Sequence, residues 1–187
     1  MDAAHQVFSE RGYNGTTMQA IADRAHVSRP AINNHFTSKR MLYRRVVEAG
    51  NAAIVAAAIG AAAQAPTLTG QLCGFLAATT QADAVDLSAV ALLATSMLEH
   101  QRHPELRRTN NEALTQTRRF VTWAVVAAME RGELAADTTV PSLVDMLLAA
   151  LWGIVIYRGF LESRRGSDVP ITQFRRLLEG TLWSDVR

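Results

Sequence analysis

Residues 16–39, TTMQAIADRAHVSRPAINNHFTSK, read as two short helices joined by a tight turn. Thr16 or Thr17 supplies an N-cap hydroxyl, and Gln19 follows Thr16 at capping-box spacing. Ile21, Ala22 and Ala25 fall on one side at helical spacing, and Val27 enters the turn as an apolar plug. Ser28 caps the second helix, whose first turn tolerates Pro30 because the N–H there has no intrahelical partner. That helix is only about two turns long. It carries Arg29, Asn33, Asn34 and His35 and packs through Ile32 and Phe36, the arrangement that a helix-turn-helix lays in a DNA major groove.

The rest of the chain follows the same helical period, with no alternating β-branched run bounded by hairpin turns, so the fold is expected to be all-α. Ala4, Val7 and Phe8 make one face of a first helix that Gly12 ends as a left-handed C-cap. Ser38 opens a long helix with Leu42, Val46, Ala49 and Ala53 along one side, reaching about Ala63 before Pro66. Further helices are expected near Thr69–Thr80, Leu87–Gln101, Pro104–Arg131 (stopped by Gly132), Pro141–Tyr157 and Thr172–Trp183, with a loop at residues 164–167. The expected division is a reading domain over 1–45 and a helical ligand-binding and dimerisation domain over 46–187.

Charge is distributed unevenly. Residues 1–45 hold seven Arg or Lys against three Asp or Glu, whereas the remainder holds twelve against fourteen. The basic excess therefore coincides with the helix-turn-helix, where phosphate neutralisation supplies the sequence-independent part of DNA affinity. Lys39, the only lysine in the chain, stands at the start of the long helix and reads as a phosphate contact or a solvated first-turn residue. The lone Cys73 cannot form an intramolecular disulfide and reads as a buried, inert thiol, which fits a reducing, cytoplasmic setting. No apolar run looks long enough to span a bilayer, Met146–Tyr157 being the longest, and the first residues lack the pattern of a signal peptide.

On Ala4, Phe8, Gly12-Tyr13, Thr16-Thr17, Ile21-Ala22, Ala25, Val27-Ser28, Ile32, His35-Phe36, Lys39 and Leu42, residues 4–46 resemble the DNA-binding domain of the TetR/AcrR-type transcriptional regulators. The resemblance implies that Thr17 and Lys39 hold phosphates. It places Arg29, Ala31, Asn34 and their neighbours Met18, Ser28, Pro30, Asn33 and His35 at or near the base edges of double-stranded DNA. Arg pairs bidentately with guanine and Asn with adenine, each discriminating by roughly 1–3 kcal/mol. Tyr13 is read as core in preference to a DNA contact, and His35 as either a brace or a phosphate contact. Two residues depart from the family pattern: His26 replaces the usual turn glycine, where a left-handed conformation is needed, and Asn33 replaces a tyrosine. The chain also starts close to its first helix, where relatives carry more residues, so either a piece precedes Met1 or the start is short.

Beyond residue 46 no phosphate loop, nucleophile motif or metal-ligand cluster stands out, and no enzyme, cofactor or metal is expected; His100 and His103, near Glu99 and Glu105, read as a solvated helix end. The resemblance implies a cavity for a small-molecule effector, with Phe75, Met97, Trp123, Trp152 and Tyr157 as candidate lining and plain core as the alternative. Asn110, Asn111, Thr115 and Gln116 offer polar contacts or face water. The last two helices carry more apolar surface than one subunit covers, so Leu147, Leu151, Phe174, Leu177, Leu178 and Leu182 are expected at a homodimer interface. A regulator of this kind, most often a repressor, would read a near-palindrome with half-sites about 34–36 Å apart.

Overall fold

In the computed structural model, which describes residues 1–80, 95–96, 99, 102–106, 112–161 and 169–183, every regular element is helical. They are α1 (Asp2–Gly15), α2 (Met18–Arg24), α3 (Arg29–His35), α4 (Lys39–Ala62), α5 (Leu68–Thr80), a 3-10 turn (Pro104–Leu106), α6 (Glu112–Glu130), α7 (Val140–Leu161) and α8 (Val169–Leu178). Of the expected helix over 87–101 only residues 95–96 and 99 are described, and the loop at 164–167, Met97, His100, Asn110 and Asn111 lie outside the described residues.

Two apolar cores form. In the N-terminal head, Ala4, Val7, Phe8 and Tyr13 of α1 meet Ile21 of α2 and Leu42, Tyr43, Val46 and Val47 of α4. Tyr43 is the hub: its ring takes Phe8 edge-on at 4.9 Å and Tyr13 at 5.0 Å, geometry that adds to the burial energy of each ring. Burial drives the Tyr43 hydroxyl well above the usual phenol range. The larger body packs α4, α5, α6, α7 and α8 around residues such as Val55, Leu72, Leu76, Phe120, Val121, Leu147 and Leu151. Because α4 contributes to both cores, it is the rigid element shared between head and body.

A second connection comes from far along the chain. Leu106, fully buried, packs in the head core although it follows α5 by more than twenty residues. Beside it, the His103 ring lies 5.1 Å from that of Tyr13 and its nitrogens face Glu105 at 3.0 Å and Glu99 at 3.5 Å. The Arg44 guanidinium donates to the Glu105 carbonyl oxygen. Glu133 makes a comparable long-range cap, accepting from the Leu68 N–H at the start of α5 at 2.7 Å while pairing with Arg131.

Several expectations need correcting. Gly12 does have positive φ, but at φ 67°, ψ 179° it occupies a region open essentially to glycine alone instead of a left-handed helical cap. The buried stripe of α4 runs through Leu42, Tyr43, Val46, Val47, Asn51, Ile54, Val55 and Ala58, leaving Ala49 and Ala53 exposed, because the helix is covered by the head at one end and by α5 and α6 at the other. Pro104 heads a 3-10 turn, and the following α-helix is described from Glu112. The last helix ends at Leu178, with turns to Trp183. Two helices, over Lys39–Ala62 and Val140–Tyr157, reach the length and apolarity of a bilayer span, contrary to the sequence reading; both carry residues of the packed cores.

Candidate nucleic-acid interface

The two short helices of the head and the long α4 are each started by a hydroxyl. Thr17 Oγ1 accepts from the Ala20 N–H at 3.1 Å, Ser28 Oγ from Ala31 at 3.3 Å and Ser38 Oγ from Met41 at 3.2 Å, satisfying amides that have no intrahelical partner. Thr17 rather than Thr16 is thus the cap of α2. Gln19 does not close a capping box; its amide donates to Asp23 at 2.8 Å. Thr16 is buried instead, its hydroxyl donating to the Gly12 carbonyl at 2.7 Å.

Between α2 and α3, His26 sits at φ 55°, so the left-handed turn is made by a histidine. Val27 is not a plug: it is 47% exposed, since this turn directs its side chain away from the head core. The contact of α3 with the head runs through Ile32 and Phe36, both partly buried against the core. Arg29, Pro30, Asn33, Asn34 and His35 are exposed and Ala31 is half-buried. No residue of α3 is fully buried, which leaves one whole side of a two-turn helix open to an incoming groove.

Met18 packs partly on the head core and offers only its remaining surface. Arg24 is committed to α1: its guanidinium grips both oxygens of Glu10, at 3.0 and 2.8 Å, and Gln6 at 3.2 Å. The hydrogen bond from Arg24 holds the Glu10 carboxyl below its ordinary range. Arg29 has no ion-pair partner among the described residues.

Lys39 is placed differently from a free phosphate contact. Its ammonium donates to the Tyr13 carbonyl at 2.8 Å and the Thr16 carbonyl at 2.9 Å, and it lies 4.5 Å from the Tyr13 ring centroid. Tyr13 is accordingly a core residue, buried under Lys39 and against Tyr43 and His103.

In the body the candidate effector residues do not converge. Phe75 is buried and stacks on Phe120 at 5.6 Å, while Trp123 is 49% exposed and Tyr157 47% exposed. Trp152 is half-buried, and its indole N–H is enclosed without a hydrogen-bond partner. It borders an open groove of about 370 Å³ between α6 and α7, together with Leu114, Thr115, Arg118, Leu148 and Ala149. Sequence reasoning did not single out this groove, because it assigned the large side chains of α6 and α7 without their azimuth.

The expected interface residues also separate. Leu147, Leu151 and Phe174 are buried inside the subunit and are unavailable to a partner without repacking; Leu178 packs partly on the same core, Leu182 is half-buried and Leu177 is exposed. The open side of α7 instead carries Met146, Ala149, Gly153 and Tyr157 at helical spacing. Cys73 is buried, which raises its thiol pKa.

Comparison with known proteins agrees with this geometry. The description "Bacterial regulatory proteins, tetR family" matches residues 1–46, and "Tetracyclin repressor-like, C-terminal domain" matches residues 75–166. The chain is 50% identical over 46 residues to the HTH-type transcriptional activator FasR of Mycolicibacterium smegmatis, a match over 25% of this chain and 21% of that protein. It is 38% identical over 48 residues to the biofilm operon negative transcriptional regulator IcaR of Staphylococcus aureus, covering 26% of each. The chain thus aligns with only about a fifth to a quarter of these relatives' lengths. A solved structure of the fatty acid degradation regulator FadR from Bacillus halodurans superposes over 97% of this chain and 93% of its own, with TM-score 0.80 and 20% identity. With its helix-turn-helix head and its helical body each matched to the corresponding family description, the chain belongs to the TetR family of bacterial regulatory proteins.

Proposed function

We propose that this chain is a cytoplasmic, homodimeric and effector-responsive transcriptional regulator that reads a near-palindromic operator through α3, with residues 1–45 as the reading domain and 46–187 as the sensing and dimerisation domain. The observation that carries the reading is α3 itself, seated on the head by Ile32 and Phe36 and presenting Arg29, Asn33, Asn34 and His35 outward. A head this small has room for few base contacts, so two copies are needed for adequate specificity. The exposed Met146, Ala149, Gly153 and Tyr157 of α7, with Leu177 of α8, form the apolar surface best suited to pairing the copies.

The sign of regulation is read as repression, as in IcaR, although FasR is an activator. Effector control follows from linkage: a small molecule shifts DNA affinity only by its differential affinity for two arrangements of the heads. The groove beside Trp152, with its enclosed and unpaired indole N–H, is the place in the described body that most favours a polar-tipped ligand. This role requires no catalysis.

The test is Arg29→Ala assayed against a duplex selected by the wild-type protein from a random-sequence pool. The variant is expected to lose roughly 1–3 kcal/mol of affinity for that duplex and to relax selectivity at one position in each half-site. Unchanged sequence selectivity would remove α3 as the reading helix. Equal affinity of the wild type for selected and scrambled duplexes at matched salt would make the protein a nonspecific binder instead.

A further inference from the structure

We infer that Arg24 is a positioning residue for sequence reading: by gripping Glu10 and Gln6 of α1 it fixes the end of α2 from which α3 is hung. The inference rests on the regulator reading above for the DNA arm of its test.

The need for such a grip follows from how little of the reading unit is buried. Of the seven residues of α2 only Ile21 and Ala22 are fully buried, and α3 has none. Two adjacent small contacts near the middle of a two-turn helix press it onto the core and leave its far end to be held by something else. The Thr17 cap closes the first turn of α2 on its own Ala20 N–H and ties it to no other element.

Arg24, the last residue of α2, supplies the outside anchor. Nη1 donates to Glu10 Oε1 at 3.0 Å and to Gln6 Oε1 at 3.2 Å, and Nη2 donates to Glu10 Oε2 at 2.8 Å. Paired bonds to one carboxylate fix the plane of the guanidinium, which the point charge of an ammonium cannot do. Gln6 and Glu10 stand one turn apart on the same side of α1, so the bond to Gln6 also fixes where along α1 the arginine sits.

Only Ala25 to Ser28 lie between Arg24 and the first residue of α3, and His26 turns them at φ 55°. Since α3 is seated only by the partly buried Ile32 and Phe36, a displaced α2 end carries through to its first turn, where Arg29 stands. Base-edge hydrogen bonds tolerate only small displacements, whereas phosphate contacts carry no sequence information. Loss of the grip is thus read in the ratio of affinities for the selected and a scrambled duplex at matched salt, a ratio in which any phosphate contact cancels.

Full-length Arg24→Met removes the grip, Arg24→Lys keeps the charge without the fork, and Glu10→Gln leaves the Arg24 cation in place but removes the carboxylate. Each should lower the ratio by roughly threefold per head, the scale of an exposed ion pair, and hence by about tenfold for a dimer. Arg24→Met combined with Glu10→Gln should lose no more than the worse single variant. A purely electrostatic role predicts instead that Glu10→Gln, with one negative charge fewer, tightens both duplexes equally. That result, a ratio unchanged in Glu10→Gln, or additive losses in the double variant would overturn the inference.

A DNA-free arm stands apart from the regulator reading. The hydrogen bond from Arg24 holds the Glu10 carboxyl below its ordinary range, so in carbon NMR of labelled glutamate the signal missing from Glu10→Gln should titrate lower in the wild type than in Arg24→Met. Identical titration in the two proteins would refute the grip. Failure of the wild type to select any duplex would refute the regulator reading while leaving the grip to be decided by this titration.

Discussion

Leu106→Ala tests whether the segment after residue 102 is structurally part of the head. The leucine is 0% exposed and sits in a cluster whose other members come from α1, α2 and α4. Truncation removes about three carbons, worth roughly 2.4 kcal/mol of transfer free energy at ~0.8 kcal/mol each. The cavity left behind adds to this, and such substitutions span about 2.7–5.0 kcal/mol according to how well the site collapses. Here the Phe8, Tyr13 and Tyr43 rings are locked edge-to-face, so collapse is limited and a loss of about 3–4 kcal/mol is expected. At roughly 2–4 °C per kcal/mol for a chain this size, the melting temperature should fall by about 10 °C. The three tryptophans, Trp123, Trp152 and Trp183, and the exposed Tyr157 all lie outside the head, whereas Tyr13 and Tyr43 are buried in its core and dominate the tyrosine dichroism. Denaturant unfolding followed by tryptophan emission and by near-ultraviolet tyrosine dichroism therefore distinguishes the two. In the variant the tyrosine transition should move to lower denaturant by the full amount and precede the tryptophan transition. A loss below about 1 kcal/mol, outside the range for a buried leucine, or a tryptophan transition that moves first, would refute the placement of Leu106 in the head core.

His26→Gly should stabilise the protein. The left-handed conformation at φ 55° costs a side-chain-bearing residue about 1–2 kcal/mol, and glycine's extra unfolded-state entropy returns about 0.4–1 kcal/mol of that, leaving a net gain of roughly 0.5–1 kcal/mol, visible as a melting temperature a few degrees higher; a lower one would contradict the strain. Glu133→Gln should destabilise by about 1 kcal/mol at pH 7, the typical value of a helix cap. Desolvation pushes the Glu133 carboxyl up, but the Leu68 N–H and the Arg131 guanidinium outweigh it, and the net shift is downward. The stability linked to this lowered value is therefore present above the unfolded carboxyl pKa of about 4.3 and is lost as pH falls through the folded value. Melting curves of the wild type and Glu133→Gln should converge under acid; a gap that stays constant with pH would show that ionisation is not involved.

The head was legible because local signals and packing agree within about forty residues. Thr17, Ser28 and Ser38 cap the helices the sequence places there, and Ile32 and Phe36 pack as their spacing indicates. Where only a turn's dihedrals decide, sequence spacing fails: Val27 is apolar and its type predicts burial, yet the turn sends it outward. In the body the limit is azimuthal. The residues of α7 are apolar on most of the helix circumference, so no amphipathic contrast tells which side meets the core, and the spacing of Leu147 and Leu151 suits an interface as well as the α5 and α6 packing they make. Leu106 was invisible for another reason: nothing near it in sequence reveals that its partners are residues 4–47.

Lys39 shows the same limit at the level of a single site. A lone cation in a basic head, at the start of a helix, is compatible with any anion or carbonyl in reach, and composition cannot rank them. Ranking depends on which carbonyls the bend between α1 and α2 brings within reach, here those of Tyr13 and Thr16. The glycine, whose backbone turns the chain one residue before Tyr13, and the lysine, 27 positions further on, thus act on the same bend. Replacing Gly12 should consequently loosen Lys39 as well as strain α1, and the two effects should not add: once the carbonyls are displaced by Gly12→Ala, Lys39→Met should cost less than it does alone. Additive losses in that double-mutant cycle would mean that the break at Gly12 and the capture by Lys39 are independent.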